Sequence, residues 1–137
     1  MRWAILDTEI YIGHWERGLY EEMLFHISRA FVVGHSAVVL SELRRGARTW
    51  AAQRLVESLW KKAGTLWEPS AKDWWEAGKL IRVIGDRNDW EIHKRREFQN
   101  DALIALTARR HGATVVTNNQ DDFDLLGREL EIQVLFA

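Results

Sequence analysis

Four acids, Asp7, Glu42, Asp101 and Asp122, carry the chemistry this sequence offers. Each has an ordinary use on its own. Asp7 can cap the segment that follows it, and Asp101 is a good helix opener through capping and the helix dipole. Glu42 alone reads as a solvated helix residue, and Asp121, Asp122 and Asp124 read as an acidic turn. Their joint placement points elsewhere. Carboxylates held close together repel and raise each other's pKa. A cation relieves that repulsion, and hard divalent ions such as Mg²⁺ or Mn²⁺ prefer oxygen ligands. Nucleophilic chemistry does not assemble, because Thr8 and Ser36 have no evident histidine partner. His14, His26, His35, His93 and His111 show no metal-ligand spacing.

The elements that must position these acids follow from pattern. Trp3 to Leu6 is a short apolar run and reads as a strand ending at Asp7. Leu19 to Arg29 has helical spacing. Phe31-Val32-Val33 is β-branched and aromatic, stops at Gly34, and reads as a second strand. Ser36 is a capping residue for a helix to about Arg48. Val38 and Val39 put Glu42 at the edge of that helix's apolar stripe. Ala51 to Lys62 is another helix, Thr65-Leu66-Trp67 a short strand, and Pro69-Ser70 starts a helix over Ala71 to about Ile84. Gly85 to Phe98 reads as charged and irregular. Asn100 or Asp101 opens an apolar helix through Arg110, with Gly112 at its end. Ala113 to Thr117 is a strand that delivers Asn118, Asn119, Asp121 and Asp122 at its carboxyl end. Ile132 to Leu135 is the last strand.

Strands alternating with helices predict a parallel sheet between helical layers. In such a sheet the strand ends share one edge, where the functional crevice lies. That edge is where the acids are expected to meet.

Length and composition bound the rest. The chain has 137 residues, of which 47% are apolar, so residues 1–137 are expected to form one domain with a proper core. There is no cysteine, which excludes a disulfide scaffold and a thiolate zinc site. The first apolar run is too short for a signal peptide, and no stretch approaches the ~20 apolar residues that span a bilayer, so a cytoplasmic setting is expected. The net charge of −1 announces no basic field for nucleic acid. Local basic groups exist: Arg44, Arg45 and Arg48 follow Glu42, and Lys94, Arg95 and Arg96 precede Asp101. The eight tryptophans are many for this length, and Trp50, Trp60, Trp74, Trp75 and Trp90 sit in charged segments, which suggests a subunit interface.

These pieces resemble the PIN domain, specifically the toxin half of VapBC-type toxin–antitoxin pairs. The matching segments are Ile5-Leu6-Asp7-Thr8, Ser36 through Glu42-Leu43 and Gly46, Asn100-Asp101-Ala102-Leu103-Ile104-Ala105, and Val116-Thr117-Asn118-Asn119 with Asp122-Phe123. The resemblance implies an α/β three-layer sandwich with a parallel sheet of four or five strands. It implies a divalent-metal-dependent endoribonuclease using Mg²⁺ or Mn²⁺, a cognate antitoxin partner and a homodimer. The family's acid quartet maps onto Asp7, Glu42, Asp101 and the Asn119/Asp122 region. Asp122 is preferred as the fourth acid, with Asn119 as a neutral ligand or water-binder. Asp7, Asp101, Asp122 and Asn119 are then the metal ligands, and Glu42 orients or deprotonates the attacking water. Thr8, Ser36, Arg44, Arg45, Arg48 and Arg96 are the candidate RNA contacts. Position 9 is often asparagine in that family and is Glu9 here.

Three other readings compete. A dehalogenase-like phosphatase wants a second Asp where Glu9 stands. A phospho-acceptor signalling domain needs a late lysine, and none follows residue 96. A non-catalytic PIN scaffold would not need all the acids.

Overall fold

Alternate residues of a strand buried on both faces must be apolar on both faces, and the first strand, β1 (Trp3–Leu6), meets that condition. Ile5 packs into a core built from helices on one side of the sheet, while Ala4 and Leu6 pack into a smaller core on the other. The computed structural model describes residues 2–137.

The order along the chain is β1, α1 (Thr8–Arg17), α2 (Glu21–Ala30), β2 (Val32–Val33), β3 (His35–Ser36), α3 (Ala37–Gly46), α4 (Trp50–Lys62), β4 (Leu66–Trp67), α5 (Ala71–Arg87), α6 (Ile92–His111), β5 (Ala113–Thr117), α7 (Gln120–Leu130) and β6 (Val134–Phe136). Four strands form a parallel sheet in the order β2-β1-β5-β6, and β3 pairs with β4 in a separate parallel ladder. Helices cover both faces, so the α/β three-layer sandwich expected from the sequence is the fold observed. Ile27 and Phe31 pack with Ala4 and Leu6 on the smaller side. Phe98, Leu103, Leu106, Phe123 and Leu126 build the larger core against Ile5 and Val115. Among the described residues, no helix is long and apolar enough to cross a membrane.

Three local expectations are corrected. The segment from Gly85 to Phe98 is mostly helical: α5 runs on to Arg87, and α6 starts at Ile92 with Glu91 as its cap, accepting from the His93 and Lys94 N–H groups. Asp101 therefore does not open a helix; it lies in the middle of one, with no cap role. The acidic turn after β5 is the first turn of α7, capped by Asn119. Asp7 caps a helix, α1, that the pattern did not announce. Its αL stop at Gly18 is the turn glycine conformation.

Candidate functional site

Register brings the first two site elements together. Leu6 of β1 lies opposite Val116 of β5, so Asp7 and Thr117 leave the sheet side by side at its carboxyl edge. Asp7 is buried; its Oδ1 accepts from the Thr8 N–H at 2.8 Å and its Oδ2 from the Thr117 hydroxyl at 2.7 Å. Burial pushes the Asp7 carboxyl up, the two hydrogen bonds pull it back, and Glu42 and Glu9 push it up again, for a net rise. Glu9 is exposed, so it acts from the rim.

Glu42 arrives on α3. That helix is fixed by Ser36, which is buried and accepts from the Val39 N–H at 3.4 Å. Thr8 donates its hydroxyl to Glu42 Oε1 at 2.8 Å. One short residue pair, Asp7-Thr8, thus ties two of the acids together. The Ser36 hydroxyl is turned to the cap rather than to solvent.

Asp101 comes from α6 and Asp122 from α7. The Asn119 side chain joins them: its Nδ2 donates to Asp101 Oδ2 at 3.3 Å and to Asp122 Oδ2 at 3.2 Å, while its Oδ1 accepts from the Asp122 N–H at 3.2 Å. The Asn119 oxygen is therefore used on the helix cap and its nitrogen faces the acids. Asp121 is exposed. Burial first, then the facing carboxyl of Asp122 and the charges of Asp7 and Glu42, push Asp101 up to about 9. Asp122 goes the other way. Burial would raise it, but the Lys94 ammonium, the hydrogen bond with Asp101 and the Asn119 amide hold it below the usual range. The two carboxyls share a hydrogen bond and titrate together as a pair.

All four sequence-predicted acids thus lie at one end of the sheet, close enough for Asp101 to feel the other three. Their donor set is all oxygen, short of positive charge, and chemically suited to a hard divalent ion. Among the described residues no three His, Cys, Asp or Glu side chains converge on one point. The fit is one of donor chemistry and location.

The basic groups divide. Arg44, Arg45, Arg48 and Arg96 are exposed. Arg95 is drawn back onto Asp86 and the Trp90 carbonyl. Lys94, grouped by sequence with the rim residues, reaches into the site and donates to Asp122 Oδ1 at 2.8 Å. No local signal announces that contact, because its partner lies in another helix. A groove of about 540 Å³ between α3 and α4 is lined by Ser41, Arg44, Trp60 and Lys61 among others, and contains none of the acids. Trp50, Trp60, Trp74 and Trp75 are exposed, whereas Trp90 packs edge-on against Phe98.

A parallel three-layer fold with carboxylates from a strand end and flanking helices gathered at one sheet edge defines an α/β protein with an acidic cluster at that edge. A PIN domain family model matches residues 4–129, so the chain belongs to the PIN domain family. No curated protein matches the chain significantly by sequence. Among solved structures the chain is similar to one in VapBC2 from Rickettsia felis bound to a promoter DNA fragment, at 23% identity and a TM-score of 0.72, covering 98% of each chain. It is also similar to one in VapBC-1 from nontypeable Haemophilus influenzae, at 19% identity and a TM-score of 0.73, covering 98% of this chain and 97% of that one. A third is in DNA-bound VapBC from Salmonella typhimurium, at 23% identity and a TM-score of 0.70, covering 99% and 98%. At these identities the likeness is one of fold.

Proposed function

We propose that the protein is a divalent-metal-dependent endoribonuclease and the toxin of a toxin–antitoxin pair. The observation that carries this reading is the meeting of Asp7, Glu42, Asp101 and Asp122 at the carboxyl edge of the sheet, with Asp101 pushed up to about 9 by burial and its acidic neighbours. Membership of the PIN family and the likeness to chains of VapBC complexes support it.

Asp7, Asp101 and Asp122 would hold Mg²⁺ or Mn²⁺. A bound ion supplies Lewis-acid polarisation of the phosphate and lowers the pKa of water. Glu42, fixed by the Thr8 hydroxyl at Oε1, keeps Oε2 to orient the attacking water and take its proton. Asn119 acts as a hydrogen-bond donor that bridges Asp101 and Asp122. Ser36 acts by fixing α3. The exposed Arg44, Arg45, Arg48 and Arg96 hold the RNA backbone beside the acidic crevice, an arrangement suited to single-stranded or looped RNA. An antitoxin would place an arginine or lysine among the acids, since a guanidinium matches paired carboxylates. The exposed Trp74 and Trp75 of α5 suit a homodimer contact.

A non-catalytic PIN scaffold is the second reading, and the absence of three convergent ligands among the described residues favours it. Single-stranded RNA incubated with the purified protein separates the two. The enzyme reading expects cleavage with Mn²⁺, none with a chelator, and none from Asp101→Asn. Intact RNA at every Mn²⁺ concentration supports the scaffold.

A further inference from the structure

Lys94 reaches the acids from within the chain. It stands about two helical turns before Asp101 on α6, so both side chains leave the same face, with Phe98 between them. Its Nζ lies 5.1 Å from the Trp90 ring centroid and 5.8 Å from that of Phe98. Those two rings pack edge-to-face at 4.8 Å, and Phe98 is fully buried. The lysine stem is therefore walled by aromatic surface, which favours a cation and reduces its freedom.

The ammonium is aimed at one atom. It donates to Asp122 Oδ1 at 2.8 Å, and the Asp122 side chain is only 10% exposed. Asn119 Nδ2 takes the other oxygen at 3.2 Å. Both oxygens of Asp122 are thus engaged by donors, and a second cation at Oδ1 meets the charge of the ammonium already there. We propose that Lys94 is a tethered cation that competes with divalent metal for Asp122 and so sets how much metal the site requires. This rests on reading the acidic crevice as a metal site.

Mn²⁺ binding followed by calorimetry, with Mn²⁺ electron paramagnetic resonance as a second readout, tests this on wild type, Lys94→Gln, Lys94→Arg and Asp101→Asn. Lys94→Met, which keeps the packing on Trp90 and Phe98, replaces Lys94→Gln if that variant does not fold. Loss of a charged hydrogen bond of this kind should tighten Mn²⁺ binding by about tenfold in Lys94→Gln or Lys94→Met. Lys94→Arg should stay near wild type, because it keeps the competing charge. Wild-type or weaker affinity in the neutral variants overturns the role of Lys94. If that occurs while Asp101→Asn loses Mn²⁺, the metal site itself survives. If neither wild type nor the neutral variants bind Mn²⁺, the metal site fails and the competition with it.

Discussion

Helix α6 meets buried carboxylates at two places, and they are handled in opposite ways. Near its carboxyl end, Arg110 grips Asp73 of α5 through Nε at 3.1 Å and Nη2 at 2.7 Å. Asp73 also accepts from the Ser70 N–H and completes a capping box. Burial pushes the Asp73 carboxyl up, but the Arg110 guanidinium and the Ser70 contacts outweigh it and hold the group below its usual range. In the middle of the same helix, Asp101 faces Asp122, Asp7 and Glu42, and among the described residues the cation that reaches this group, Lys94, goes to Asp122. A carboxylate with its own guanidinium fastens helices together. A set of carboxylates with too little positive charge is destabilising unless something else supplies it. The contrast separates an acid that fastens two helices from acids left short of counter-charge.

Breaking the crevice should have the largest consequences. Glu42→Gln keeps size and hydrogen bonding but removes the proton acceptor. RNA cleavage should fall by about 10²–10⁴, while Mn²⁺ affinity changes far less. A cleavage assay across a Mn²⁺ titration checks this, and recovery of the variant at high Mn²⁺ would reassign Glu42 as a ligand. Asp122→Asn should show the reverse pattern, with weakened metal binding and partial recovery as Mn²⁺ rises.

Breaking the fastening should alter stability alone. Ser70→Ala removes the cap, and should lower stability by about 1 kcal/mol, or about 3–5 °C in melting temperature, with the cleavage rate per folded molecule unchanged. A rate loss comparable to that of Glu42→Gln would mean the two regions are coupled.

The two regions should also differ in their response to pH. Asp101 is pushed up to about 9 in the folded chain, against about 3.9 when unfolded. Between those values the folded state holds a proton that the unfolded state has lost, so metal-free stability should fall as pH rises from about 4 to about 9. Asp7, raised for the same reasons, adds to that slope. Asp101→Asn should flatten it and be the more stable protein at pH 8. Urea unfolding at several pH values checks this, and an unchanged slope would place the proton elsewhere.

The site's address was more legible than its internal wiring. Trp3–Leu6 and Ala113–Thr117 are short apolar runs that end in polar residues, so the strand ends carrying Asp7 and the Asn119/Asp122 segment could be read directly. Ser36 as the cap of α3 was legible for the same local reason. The start of α6 was not. Its first half is charged on most sides and its second half is buried on most sides, so no single apolar stripe runs through it. Its cap, Glu91, is also not among the favoured types. Helix α7 was hidden by its run of acids, although Asn119 followed by acids in the first turn is a helix start signal. The Lys94–Asp122 contact joins residues on different helices, and no spacing rule reaches that far.

The most direct test of the account compares thermal unfolding at pH 8 with and without Mn²⁺ for wild type, Ser70→Ala and Asp101→Asn. A ligand that binds only the folded state stabilises it by about 2.7 kcal/mol at a hundredfold excess over Kd. An upward shift of that order is expected in wild type and in Ser70→Ala, and none in Asp101→Asn. An equal shift in Asp101→Asn, or no shift in wild type, would contradict the claim that these acids form a metal site.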